Sequence, residues 1–228
     1  MKVTAISDLH GNLIDIEPCD LLLICGDISP LDIQRDYIQM TKWIFNEFQE
    51  WIMKIDCPTI ILTPGNHDFW FEKMITQSNT YLFDKLTILI DGEARIYNDV
   101  DHKWYKIYAT PQCRDFGKWA YMPGNKNLSK YYSNIPYNLD ILMCHDSPQV
   151  GYVGNIMEQK SEKYPNGVPA GNIYLFNEIV EKKPKICLSG HIHSGDHKSN
   201  IYGDTMYTNV SILDESYSIY FKPLTFEL

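Results

Sequence analysis

Five short apolar runs in this chain end on polar residues of one chemical kind, and that recurrence constrains the fold more than any other feature. Residues 3–7 lead into Asp8-Leu9-His10-Gly11, 20–25 into Gly26-Asp27, and 59–63 into Gly65-Asn66-His67-Asp68. Residues 139–144 lead into His145, and 185–189 into Gly190-His191-Ile192-His193. Runs of this length and composition read as buried strands rather than helices. Of the 7 histidines, His10, His67, His145, His191 and His193 stand at these strand ends, with Asp8, Asp27 and Asn66 among them. Imidazole nitrogen combined with carboxylate and amide oxygen suits Mn, Fe, Zn or Ni, whereas Ca takes oxygen almost alone. Eight donors exceed the needs of one open catalytic ion and match two ions sharing a bridge.

Helical periodicity fills the spaces between strands. Ile33, Tyr37, Met40, Ile44, Phe48, Ile52 and Ile55 recur every three or four residues, which predicts a long amphipathic helix over 30–55. Ser29 is placed to cap it, Pro30 suits the first helical position, Asp32 complements the positive end of the dipole, and Cys57-Pro58 stops it. A second helix is expected over 171–183, with Tyr174, Leu175, Ile179 and Val180 inward. Strands alternating with helices make an α/β protein. Between 86 and 111, three short runs separated by Asp91-Gly92 and Asn98-Asp99 predict an antiparallel section that opens a second sheet, and the alternating stretch 206–226 would close it. Residues 113–136 carry Phe116, Trp119, Tyr121, Tyr131 and Tyr132 without a period, as an inserted aromatic loop serving as a lid or a partner surface. With 228 residues and no repeat or linker, the chain is expected to form one domain over 1–228.

Charge narrows the partners. The balance of 20 Lys and Arg against 29 Asp and Glu leaves -9, which disfavours a grip on long nucleic acid but admits a nucleotide-sized substrate. No run approaches the length of a membrane span, so no membrane partner is expected. The 6 cysteines include no CxxC, and Cys25, Cys144 and Cys187 lie in apolar stretches. That usage points to a reducing, cytoplasmic setting.

The ordered set Asp-x-His, Gly-Asp, Gly-Asn-His-Asp, His and Gly-His-x-His resembles the calcineurin-like metallophosphoesterases across Asp8 to His193. The resemblance implies two mixed β sheets packed as a sandwich flanked by helices, with a dinuclear metal site on loops at the strand ends. It implies that Asp8, His10, Asp27 and His193 hold one ion and that Asp27, Asn66, His145 and His191 hold the other, Asp27 being the bridge. Two divalent ions, Mn favoured among Mn, Fe, Zn and Ni, would be the cofactors. The stretch Leu139 to Pro148 (LDILMCHDSP), the aromatic loop before it and the ending at 184–195 are similar to the small single-domain phosphodiesterases. That group comprises the metallophosphoesterase-domain-containing proteins and the class III cyclic-nucleotide phosphodiesterases. Protein Ser/Thr phosphatases carry Gly-Asp-x-x-Asp-Arg-Gly, supplying an acid for the catalytic His and an arginine for phosphate. Here Ile28, Ser29 and Pro30 follow Asp27, and both are missing.

The expected activity is metal-dependent hydrolysis of phosphodiesters of a small or nucleotide-like substrate. Two ions clamp phosphoryl oxygens and bring the pKa of a bridging water down to roughly 7. His67 is the candidate general acid to the leaving alkoxide, or a hydrogen-bond donor to the transition-state oxygens. Asp68, grouped with it as a catalytic candidate, either orients His67 or a metal ligand, or caps the following helix. Asn12 and Arg114 are minor candidates for phosphate contact, Asp146 has no assigned role, and His102 and His197 read as surface residues. The alternatives are a phosphomonoesterase acting on a small molecule and a non-catalytic metal-binding regulatory module. A nuclease ranks below them on charge and length.

Overall fold

The computed structural model describes residues 1–228 and contains two six-stranded mixed sheets. In the first, strands Lys2–Ile6, Leu21–Ile24, Thr59–Leu62 and Leu86–Leu89 run parallel, with Leu224–Glu227 and Asn79–Leu82 as antiparallel edges. In the second, Thr205–Asn209, Ile186–Ser189, Ile141–Cys144 and Lys103–Thr110 run parallel, edged by antiparallel Asn200–Tyr202 and Gly92–Asn98. Both faces of each sheet are covered, as parallel strands require. Val3, Ala5, Leu21, Leu23 and Ile61 pack against Ile107, Ala109, Ile141, Met143 and Leu188 between the sheets. On the outer face of the first sheet, Ile6, Leu22, Ile24, Ile60 and Leu62 meet Met40, Trp43, Ile44, Phe48 and Ile52 from the helical segment. On the outer face of the second, Leu142, Cys144 and Cys187 meet Leu128, Tyr132, Leu175 and Ile179. The result is the helix-flanked sandwich, and each metal-type residue follows the carboxyl end of a parallel strand, where α/β sheets place their ligands.

The helical segments differ from their sequence reading in instructive ways. The first begins at Tyr37, not Pro30, and runs as Tyr37–Trp43, a π-helical turn Ile44–Phe48 and Gln49–Lys54. Asp36 is its cap, accepting from the amides of Ile38 and Gln39. Ser29 cannot cap, because it is buried and its hydroxyl donates to Asp68 at 2.6 Å. The later helix is Ile173–Lys182, capped by Asn172, and it buries Leu175 and Ile179. Tyr174 and Val180 are exposed instead of inward.

Strand assignments shift as well. Of the three runs between 86 and 111, the first belongs to the first sheet, and the other two form an antiparallel hairpin at the edge of the second. The C-terminal stretch divides likewise: Thr205–Asn209 joins the second sheet, while Leu224–Glu227 pairs with Lys2–Ile6 in the first. The aromatic segment is not one loop. It contains the helix Asn125–Tyr132, whose Leu128 and Tyr132 are fully buried, so only its first part is free to serve the site. No helix is long and apolar enough to cross a membrane.

Candidate metal centre

Asp8, His10, Asp27, Asn66, His67, His145, His191 and His193 converge where the carboxyl ends of the two sheets meet. The carboxylate of Asp27 is the hub. Its Oδ1 accepts from the His67 amide at 2.7 Å, while Oδ2 lies 3.2 Å from His145 Nε2, 3.7 Å from His10 Nε2 and 3.9 Å from His67 Nε2. Asn66 Oδ1 lies 3.0 Å from His145 Nε2. Asp8 Oδ1 lies 3.4 Å from His193 Nε2, and the amide of His191 donates to the same carboxylate. Groups Asp8–His10–His193 and Asp8–Asp27–His145 each bring donor atoms within 4.8 Å of one another.

The rings are aimed by their second nitrogens. His145 Nδ1 donates to the Cys25 carbonyl at 2.9 Å and His193 Nδ1 to the Asp214 carbonyl at 3.0 Å, which turns both Nε2 atoms toward the carboxylates. The test of whether these residues suit ions lies in His10. Both of its ring nitrogens are buried without a hydrogen-bond partner. A buried polar atom left unpaired costs about 1–3 kcal/mol, and a cation between His10 and Asp27 removes that cost. The donor set and this orphaned ring fit a pair of divalent ions.

Backbone geometry at these positions is unusual. Asp8, His10, Asp27 and His191 have φ of 57°, 44°, 54° and 68°, in the left-handed region that non-glycine residues rarely adopt. Such strain persists only where the surroundings hold it, and it concentrates at functional sites. Gly26, at φ 98°, shows how closely the strand ends approach: a Cβ there would sit 2.5 Å from His145 Nδ1 and 2.9 Å from the Gly65 amide.

Asp68 supplies part of the restraint. Fully buried, it accepts from the amides of Asp27, Ser29 and Gly65 at 2.8, 3.0 and 2.7 Å and from the Ser29 hydroxyl. It stands at the N-cap of the helix Phe69–Met74, accepting from the Phe71 and Glu72 amides through its carbonyl, but its carboxylate makes no bond to that helix. Nor does it touch the His67 ring. That ring instead bonds through Nδ1 to Gln34 Oε1 at 2.7 Å and lies 4.4 Å, centroid to centroid, from Trp119. Arg35 sits over Phe69 at 4.1 Å and over Trp119 at 5.0 Å. The sequence periodicity puts Gln34 inside the helix expected over 30–55, whereas the tertiary fold sets it in a turn ahead of Tyr37.

Charge follows geometry in the metal-free chain. Burial resists ionisation of His145, but the charge of Asp27 overrides it and holds the imidazole up at about 10. His193 is likewise raised, to about 9, against burial by its bond to Asp8. Burial lowers His10 to about 4 and pushes His67 below its ordinary range. A raised histidine stabilises the fold fully below its unfolded value of 6.5 and loses that contribution as pH rises through its folded value. Metal-stripped protein is therefore expected to lose thermal stability between pH 6.5 and about 10. Metal affinity should rise over the same range, because each ion must displace those protons. Thermal melts with and without metal at several pH values check both.

The minor candidates resolve into scaffolding. Arg114 donates to the carbonyls of Ala170 and Gly171, and Asn12 to that of Leu9. Asp146 accepts from the Arg114 amide and from Asn172. His197 is half-buried rather than a surface residue, stacked on Phe221 and bonded to the His193 carbonyl at 2.9 Å. His102 is exposed as expected. Above the centre opens a cavity of about 240 Å³. Asp27, Asn66, His67, His191 and His193 form its floor, and Phe116, Trp119, Glu215 and Tyr217 form its walls. Tyr217 stands edge-on to His10 and His193 with ring centroids 5.0 Å away, and Glu215 is held by the amide and hydroxyl of Ser194.

Over 241 residues the chain is 23% identical to the UPF0046 protein C25E10.12 of Caenorhabditis elegans, covering 100% of this chain and 81% of that one. The phosphopantetheinyl hydrolase PptH of Mycobacterium tuberculosis superposes with a TM-score of 0.55 at 13% identity, covering 95% of this chain and 90% of that one. GAP50, described as the anchor in the inner membrane complex of Plasmodium, superposes at 0.52 with 12% identity, over 96% of this chain and 77% of that one. These two structural likenesses bear on fold alone. The family model for the calcineurin-like phosphoesterases matches residues 1–214, and with the buried His and Asp clusters at the strand ends it places this chain in that family.

Proposed function

We propose that this protein is a metal-dependent phosphodiesterase acting on a small, nucleotide-like substrate, of the kind found among the small single-domain members of the family. The observation that carries the reading is the cavity over the centre: its walls include Phe116, Trp119 and Tyr217, and no Lys or Arg lines it. Arg35 and Arg114 are engaged with aromatic rings and backbone carbonyls. A monoester dianion gains most from an added cation on its phosphoryl oxygens. A diester carries one charge and brings a second organic group that aromatic walls can cover.

Asp8, His10, Asp27 and His193 would hold one ion, and Asp27, Asn66, His145 and His191 the other. Bound there, two divalent ions supply positive charge to phosphoryl oxygens and an acidified water. His67 Nε2 lies toward the Asp27 carboxylate on the cavity floor and, when the ring carries both protons, gives the Nε2 proton to the leaving oxygen. When Nε2 carries that proton, the Nδ1 proton still has its acceptor in Gln34. Trp119 fixes the plane of the ring and excludes water from one side. Asp68 acts one step back, holding the Asp27 and Gly65 loops in register.

Gln34→Ala is expected to keep both ions and lower turnover about 10- to 100-fold, as losing an orienting partner does. Steady-state kinetics with metal analysis checks this. The reading itself is tested by hydrolysis of bis-p-nitrophenyl phosphate beside p-nitrophenyl phosphate, with Mn, Ni, Zn or Mg restored to stripped protein. Faster metal-dependent cleavage of the diester supports it, and preference for the monoester overturns it.

A further inference from the structure

We propose that Cys113 is a thiolate ligand at the His145–His191 position, which makes that position favour Zn or Fe over Mn or Mg. The inference rests on the dinuclear reading of the site. Cys113 follows the strand Lys103–Thr110 where the aromatic segment begins. Its sulfur, one ring nitrogen of His145 and one of His191 all lie within 4.8 Å of one another. The two imidazole rings meet edge to face, 5.2 Å apart between centroids. No other cysteine shares a candidate metal-binding group.

Surroundings rather than exposure distinguish Cys113 from the other five. Cys19, Cys25, Cys57, Cys144 and Cys187 all belong to the apolar clusters of the core. Cys113 is equally inaccessible, at 0% exposure, yet it belongs to none of those clusters. Its sulfur faces ring nitrogens, and its one hydrogen bond runs to the Pro111 carbonyl in its own turn, at 3.4 Å. The backbone around it is fixed: the Cys113 amide donates to Tyr121 O and the Arg114 amide to Asp146, at 2.8 Å each. A sulfur so held adds a soft donor to an otherwise nitrogen and oxygen set, and softness shifts selection toward Zn and Fe. On binding, the thiol gives its proton to solvent and the sulfur lone pair to the ion.

The experiment loads the stripped full-length chain with Co(II) to two ions and records its near-ultraviolet absorption, beside Cys113→Ser. The expected result is a sulfur-to-cobalt charge-transfer band in the wild type that Cys113→Ser lacks while still binding two ions. Zn affinity should fall at least about 10-fold in the variant, with Mn affinity unchanged. X-ray absorption of the Zn-loaded wild type should show a sulfur neighbour at about 2.3 Å, and this decides the matter even where the variant does not fold. Two bound ions with no sulfur neighbour, or a band that persists in Cys113→Ser, overturn the assignment and leave the dinuclear reading intact. A folded wild type that takes up fewer than two ions overturns both.

Discussion

His67→Ala is expected to bind two ions as the native protein does and to lose about 10²- to 10⁴-fold in turnover, the range a positioned acid contributes. The split follows from the geometry. His67 Nε2 is 3.9 Å from Asp27 Oδ2, farther than the His145 nitrogen, and its Nδ1 is already bonded to Gln34. The ring shares a donor cluster with His10 and Asp27 and also lines the cavity; with the proposed role, removing it takes away the acid and leaves the seven proposed ligands in place. Kinetics alongside metal analysis separates this outcome from simple loss of the site. A variant that kept both ions and full turnover would refute the role of His67.

Asp27→Asn is expected to act more broadly, weakening uptake at both positions and abolishing measurable hydrolysis. Its loss should exceed the about 10²- to 10³-fold of a single stabilising donor, because one carboxylate serves several roles. Oδ2 faces His10 and His145, while Oδ1 fixes the His67 amide. The charge also matters. Burial disfavours the ionised form, yet the surrounding histidines, His145 foremost, hold Asp27 well below the usual carboxylate range. An amide has the shape but not the charge that binds cations. Metal stoichiometry of the purified variant, with circular dichroism to confirm folding, provides the measurement.

The candidate donors were legible because each combines two local signals, a short apolar run and a metal-type residue at its end. The left-handed backbone at Asp8, His10, Asp27 and His191 carries no comparable signal, since loops distant in sequence impose it. The same distance explains the helix start. Ser29, Pro30 and Asp32 make a credible beginning, but Ser29 is claimed by Asp68, 39 residues away, and Asp36 takes over as cap. The final strand misled for a related reason: alternation reveals a strand and not its neighbour, and Leu224–Glu227 pairs with the other end of the chain. Gln34 shows the limit most clearly. Pro30 stands where the Gly-Asp-x-x-Asp motif carries an acid for the catalytic His, and the structure provides a neutral partner, Gln34, from a turn that the periodicity reads as helix.

A two-ion hydrolytic centre is best tested by titrating metal into stripped protein while following diester cleavage. The expected result is negligible hydrolysis without metal, activity that saturates at two ions per chain, and its disappearance in Asp27→Asn. Full hydrolysis in the stripped protein, or none with two ions bound, would contradict it.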